Sequence, residues 1–396
     1  MYQKILSFVL ILFFTLIKLA HSDETPQILN LVYKAQEMLA KEKPYLISRN
    51  KKVYGRDVPL AIYDTETKTI LIIRADVSLE RDVVINRKIE KVVDVSNVRP
   101  PDYLVYKIGG NGINAEFQIA KDGKVYPFLG WNYIREKGHE TMVYSPYTDY
   151  LAQKEVVDFG NKYLKTAILN ALDELKKQFV LSRAVRGSLV ADVISERIIF
   201  NLALIEHMDH GEYEDKGDVY MMNKVLTQLA LNREKTFNYA KSSAGALCLM
   251  QIMRTTYGGV KGKKGKLAPG VLQLYPNAKL PIDPVIGSCG SHSQATKVAY
   301  LVLDDKLAYM PSDFKGKFVN EPKRYGYVLA AAYNGGSGRA INIYKGIREP
   351  RIYELVSDIF SYFTHRKSEF REYKLLKEET WIFIKKYIEI DTELHK

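Results

Sequence analysis

Glu206 ends the stretch Ile198-Ile199-Phe200-Asn201-Leu202-Ala203-Leu204-Ile205-Glu206-His207-Met208-Asp209, an almost wholly apolar run that delivers one carboxyl at its tip. Apolar neighbours such as Leu202 and Ile205 raise a carboxyl's proton affinity by excluding water. A carboxyl still protonated near neutral pH can act as a general acid. Taken alone, the same glutamate reads as a solvated helix end. A second segment is Ser242-Ser243-Ala244-Gly245-Ala246-Leu247-Cys248-Leu249-Met250-Gln251. Its small residues allow close backbone approach, and Gln251 offers a donor and an acceptor among apolar neighbours. Alone it reads as a packing segment. A third, Leu329-Ala330-Ala331-Ala332-Tyr333-Asn334-Gly335-Gly336, brings a phenol and an amide to the place where a small-residue helix meets glycines. Alone, Asn334 is a helix-capping residue. A metal reading of Glu206-His207-Met208-Asp209-His210 is open to an elemental test for zinc. Against it, neither HExxH nor HxxEH occurs and no distant third ligand motif accompanies the two histidines.

These residues need elements to hold them. Helical spacing of Ile28, Leu31, Val32, Ala35, Met38 and Leu39 predicts a helix from Asp23 to about Ser48. From Lys52 to Tyr147, β-branched and aromatic runs (Thr69–Ile73, Arg81–Ile85, Leu104–Ile108) alternate with turn signals, as in a small β-rich accessory domain. Asp122-Gly123 suits a tight hairpin. Gly109-Gly110-Asn111-Gly112 reads as a turn, since the context of a phosphate-cradling loop is missing. Glu155 to Phe179 predicts a long amphipathic connecting helix, and from Ser182 onward the texture is mostly helical. Between Glu212 and Lys241, Val219, Met222, Val225, Leu226 and Leu229 fall on one helical face. Lys261-Gly262-Lys263-Lys264-Gly265-Lys266 is a glycine-spaced loop, either a solvated surface or a contact for an anionic polymer.

The composition is that of a globular chain: 396 residues, 46% hydrophobic and 26% charged, which excludes disordered, collagenous and coiled-coil classes. Two cysteines exclude a disulfide-built scaffold. The net charge of +12 favours an anionic partner such as nucleic acid, an acidic membrane surface or an anionic wall polymer. The first 22 residues decide among these. Lys4, the apolar run Ile5 to Ile17, and small Ala20 and Ser22 before Asp23 read as a cleavable export signal. An uncleaved anchor is the alternative. Removing Lys4 and Lys18 with the leader takes the charge from +12 to +10. Export makes nucleic acid an unsuitable partner and a periplasmic or secreted location the expected one.

In combination and in order, the three segments resemble the catalytic domain of lytic transglycosylases of the soluble lytic transglycosylase superfamily, related to goose-type lysozyme. That family shows a Glu, usually followed by Ser, at a helix end, then S-x-x-G-A-x-G-L-M-Q, then A-Y-N-x-G. Glu206 matches the first. Ser242, Gly245, Ala246, Leu249, Met250 and Gln251 match the second, and Ala332, Tyr333, Asn334 and Gly336 the third. Tyr275 to Leu280 with Asp283-Pro284, and Glu379-Thr380, resemble a link and a closing-helix pair of some members. The resemblance covers about residues 184–390. His207 stands where the family usually has Ser, Cys248 replaces the Gly before Leu-Met-Gln, and about three dozen residues separate Glu206 from Ser242.

The residue patterns and the resemblance together imply an α+β multidomain chain: a leader at 1–22 and an accessory region at 23–180, with its β-rich core at 52–147 and connector at 155–179, read from the residues, and, from the resemblance, a mainly helical, lysozyme-like catalytic domain at 181–396. The resemblance implies cleavage of the β-1,4 bond between N-acetylmuramic acid and N-acetylglucosamine in peptidoglycan glycan strands, with no cofactor and no metal. Glu206 would be the catalytic acid and then base, Tyr333 would support it, and Ser242, Met250, Gln251 and Asn334 would line the glycan cleft. Cys248 and Cys289, both in the catalytic half of an exported chain, would form a disulfide or remain two buried thiols. A lysozyme-like hydrolase of the same bond, or a non-catalytic wall-binding protein retaining the fold, are the alternatives.

Overall fold

Buried residues run without a break from Val58 to Ile62 in the strand that spans Lys52–Asp64, so this strand must be covered on both sides. A computed structural model shows how. It describes residues 25–50, 52–79, 81–85, 88–136, 138–261, 267–346, 352 and 377–394. The leader at 1–22 and residues 262–266 of the basic loop lie outside the described residues. The chain is a mixed α/β protein with antiparallel sheets.

Helix α1 (Gln27–Lys41) comes first, followed by strands β1 (Tyr45–Arg49), β2 (Lys52–Asp64), β3 (Thr69–Ser78), β4 (Arg81–Ile85), β5 (Lys88–Val92) and β6 (Val95–Arg99). Then come β7 (Leu104–Gly109), β8 (Glu116–Lys121), β9 (Lys124–Tyr126), β10 (Phe128–Ile134) and β11 (Thr141–Tyr144). The main sheet runs β11-β10-β2-β3-β6, with β1 also paired to β2. β7-β8-β9 form a second sheet. On one side of β2, Val58, Leu60 and Ile62 join Phe117 and Ile119 of β8 and Trp131 of β10 in one apolar cluster. On the other, Ala61 and Leu129 meet Leu29, Val32 and Leu39 of α1. The Asp122-Gly123 hairpin forms as expected, pairing Lys121 with Lys124, with both turn residues at positive φ (51° and 77°).

The first helix is shorter than its periodicity suggests. It stops at Lys41, and β1 begins directly after Pro44. Proline lacks an N–H and disfavours helical geometry in the residue before it, so the helix cannot run on to Ser48.

The helical half contains α2 (Lys154–Lys177), α3 (Glu196–Ile205), α4 (His210–Asn232), α5 (His292–Ala308), α6 (Pro322–Gly335) and α7 (Glu378–Glu393), with shorter helices between them. α2 is the helix read as a connector. Its Leu164, Ile168, Ala171 and Leu175 sit inside the large core with α3, α4, α5 and α6. It crosses α4 so closely at Gly160 that a Cβ there would lie 1.9 Å from the Leu226 carbonyl oxygen. α4 also departs from expectation. Gly217 breaks its geometry (φ 82°, ψ 175°), so a new helical stretch starts after it with Val219 in its first turn. Val225, Leu226 and Leu229 are buried, but Val219 is 43% exposed. The helix ends at Asn232, not near Lys241.

A buried seam joins the two halves. Asn232 Nδ2 donates to the Ser145 carbonyl and Ser145 N–H to Asn232 Oδ1, both at 2.8 Å. Gln36 of α1 donates to Ser145 Oγ (2.9 Å) and to the Leu231 carbonyl (3.1 Å). Among the described residues, no helix is long and apolar enough to cross a membrane.

Candidate active site

α3 is built to present its last residue. Ser195 caps its start by accepting from the Arg197 N–H (3.2 Å). Every residue from Ile198 to Ile205 is buried. The helix is fastened to α7 by Asp391, which accepts from Asn201 Nδ2 (2.8 Å) and an Arg197 guanidinium nitrogen (2.6 Å). Glu206 is the residue that ends this helix, its N–H bonded to the Leu202 carbonyl at 3.1 Å.

The Glu206 side chain keeps a small accessible face into a hollow of about 550 Å³ lined by Ile205, His210, Asn334, Glu379, Ile382 and Lys386 among others. Protein surrounds the carboxyl otherwise. Burial, partly offset by the nearby Lys386 charge and reinforced by Glu379, pushes its pKa up to about 8. The carboxyl is therefore mostly protonated at neutral pH, as its apolar setting in the sequence suggests.

His207, beside it, points elsewhere. Its ring stacks on Phe237 with centroids 3.6 Å apart and planes 3° from parallel. Nε2 lies 2.8 Å from the Leu249 carbonyl oxygen, so it carries the proton and donates. Burial lowers its pKa to about 3, which leaves it neutral. The imidazole is a tether between the turn after α3 and the 242–251 segment. Among the described residues, no group of three or more His, Cys, Asp and Glu side chains could hold a metal ion.

Tyr333, in the last turn of α6, donates its phenol O–H to the Met250 carbonyl at 2.6 Å. Burial, with Glu206 nearby, holds its pKa well above the usual phenol value. Two successive main-chain carbonyls thus receive the two other segments: Leu249 takes His207 and Met250 takes Tyr333. The loop that offers them is tightly turned. Gly245, Cys248 and Gln251 have φ of 90°, 57° and 45°. Positive φ is sterically unfavourable for a residue with a Cβ, which explains why a glycine suits the place Cys248 occupies. Cys248 is instead anchored by a disulfide to Cys289, with Cα atoms 5.5 Å apart.

Asn334 lines the hollow, and its Oδ1 accepts from Thr380 Oγ1 (2.9 Å), which in turn accepts from Arg339 (2.9 Å). The Glu379-Thr380 pair of α7 therefore flanks the hollow, Glu379 as lining and Thr380 as a support for Asn334.

The structure brings Glu206, Tyr333 and Asn334 together, but not all the expected cleft residues. Met250 is a correction to the sequence reading: its side chain is 0% exposed in the core, and only its carbonyl serves the site. Ser242 accepts the Ala246 N–H on its Oγ (3.0 Å), closing the local turn. Gln251 Nε2 donates to the Cys248 carbonyl (2.7 Å). None of these three lines the hollow around Glu206.

Sequence reasoning missed Lys386. Its Nζ donates to the Met208 carbonyl at 2.6 Å and sits 5.3 Å from the centre of the Tyr213 ring. The signal available was a lysine pair inside the apolar run Trp381-Ile382-Phe383-Ile384-Lys385-Lys386-Tyr387. It also missed a second hollow of about 600 Å³ between the halves, lined by Asn114, Glu116, Tyr147, His207, Tyr220 and Tyr239 among others. There Asn114 Oδ1 accepts from Tyr239 (2.8 Å) and Gln228 (3.2 Å).

Comparison of the chain with protein-family models, with curated proteins and with solved structures gave no match.

Proposed function

We propose that this chain is a peptidoglycan lytic transglycosylase of the cell envelope, with residues 181–396 acting as a lysozyme-like catalytic domain. One observation carries the reading: Glu206 holds its proton at neutral pH at the edge of a hollow that Asn334 also lines, with Tyr333 close enough to feel its charge. A carboxyl with a pKa of about 8 is poised to give a proton to a glycosidic oxygen and to take one back.

In the proposed reaction Glu206 protonates the oxygen leaving from the muramic C1, and the substrate's own N-acetyl carbonyl oxygen bonds to that carbon. Glu206, now a carboxylate, removes the proton of the muramic 6-hydroxyl. O6 then attacks C1 and displaces the acetamido oxygen, closing a 1,6-anhydro ring. Glu206 ends protonated, and no water is consumed. A single carboxyl suffices because the first step leaves it in the form the second requires. The positive charge of the chain, +12, suits a substrate carrying lactyl and peptide carboxylates.

The test is mass spectrometry of products from purified sacculi. Anhydro-muropeptides should be released by the wild type and not by Glu206→Gln. Release at the wild-type rate by Glu206→Gln would remove the carboxyl from this role. Products heavier by one water would replace transglycosylation with hydrolysis. Sacculus binding without product would favour the non-catalytic alternative.

A further inference from the structure

Lys386 lies on the middle of α7, in a run of buried residues, and is itself only 6% exposed. It lines the same hollow as Glu206. Among the described residues its one hydrogen bond is to the Met208 carbonyl, and no carboxylate lies within 4.0 Å of Nζ. A buried ammonium without a directly paired carboxylate is costly compared with an apolar side chain of similar volume. Packing therefore gives no reason for a lysine here, whereas a neighbouring group that develops negative charge does.

We propose that Lys386 is a positioning residue for the chemistry of Glu206: its ammonium, tethered to the Met208 carbonyl on the turn just after Glu206, holds that turn and stabilises the carboxylate that Glu206 becomes on giving up its proton. The inference rests on the reading of Glu206 as the acid. Lys386 transfers no proton: burial lowers its pKa only to about 8, so at neutral pH it is mostly an ammonium while the charge beside it appears and disappears. The Met208 carbonyl lies on the turn that follows the C-terminal end of α3, the end at which the helix dipole favours a cation.

The other groups around the pair come from every packed element. Asp209 follows α3; His210, Tyr213 and Glu214 come from α4; Tyr333 and Asn334 from α6; Glu378 and Glu379 from α7, with Lys377 just before it. Of these, Asp209, Glu206 and Glu214 favour the charged form of Lys386 against its burial, and Glu379 opposes ionisation of Glu206. Lys386 is the cation that burial places against Glu206, and its removal leaves the carboxyl facing Glu379 without compensation.

The experiment titrates Glu206 directly, by carbon-13 NMR of protein labelled at the glutamate carboxyls, the resonance being assigned by its loss in Glu206→Gln. Lys386→Met should move the Glu206 midpoint upward by about one pH unit or more. Lys386→Arg should restore it, and Lys386→Gln should behave as Lys386→Met. On sacculi, Lys386→Met should lower kcat while leaving KM nearly unchanged, with Lys386→Arg recovering most of the loss. An unchanged Glu206 midpoint in Lys386→Met and Lys386→Gln overturns the proposal, whatever happens to kcat. If the methionine variant does not fold by circular dichroism, the glutamine and arginine variants decide between charge and shape. If wild-type protein releases nothing from sacculi, the transglycosylase reading falls, while the titration still judges Lys386 separately.

Discussion

Replacing Glu206 by Gln should do more than stop catalysis: it should make the helical half more stable, by an amount that grows with pH. The unfolded chain ionises Glu206 above its ordinary value of 4.5, whereas the folded chain keeps the proton up to about 8. Between those values the folded state binds more protons than the unfolded state, so this group makes stability fall as pH rises. The loss is small below 4.5 and complete above about 8. From those two values, the cost is about 1 kcal/mol at pH 5, about 3 kcal/mol at pH 7 and about 5 kcal/mol above pH 9. Glutamine carries no such cost. Any fixed effect of the substitution on packing is the same at each pH, so the informative quantity is the gain in stability from pH 5 to pH 7, about 2.5 kcal/mol. The chain has two tryptophans, Trp131 in β10 of the sheet and Trp381 in α7 beside the hollow. In a Trp131→Phe background, urea unfolding followed by Trp381 fluorescence reads the helical half. If the stability difference between that background and its Glu206→Gln variant stays flat from pH 5 to pH 7, the carboxyl ionises normally and the acid assignment loses its physical basis.

Activity on sacculi should decline as pH rises through about 8, because the folded-state proton of Glu206 is lost there; an unchanged rate at pH 9.5 would contradict this. Cys248→Ser with Cys289→Ser opens a loop of sequence separation 41 and should lower unfolding stability by about 4 kcal/mol, seen as a fall in Tm that reductant reproduces in the wild type. Tyr333→Phe deletes the donor to the Met250 carbonyl and should cost about 1–2 kcal/mol of stability together with a marked drop in kcat. Equal Tm and rate in that variant would make the phenol a bystander.

Much of the scaffold was legible in the sequence because it follows from local rules. The β-rich segment, the Asp122-Gly123 hairpin, the long helix near 155–179 and the apolar helix ending at Glu206 all follow from periodicity and turn chemistry. Boundaries were less legible where one residue overrode a pattern. Pro44 stopped α1 early, and Gly217 broke α4 just before Val219, which sits 43% exposed in the first turn after the break. Site geometry was partly legible: an apolar flank announced the proton affinity of Glu206, but nothing announced that Met250 would face inward and offer only its carbonyl.

The sequence by itself determined which side chains could carry chemistry and which local elements present them, since helix periods and tight turns depend on neighbours a few residues apart. Only the tertiary structure decided how these are joined. The Leu249 and Met250 carbonyls that receive His207 and Tyr333 are main-chain groups, which every residue possesses and no residue letter distinguishes. Likewise Lys386 meets the turn after Glu206 across a separation of 178 residues from Met208, a proximity set by the packing of α7 on α3. Burial also belongs to the assembled core: a glutamate's proton affinity depends on every element that excludes water from it.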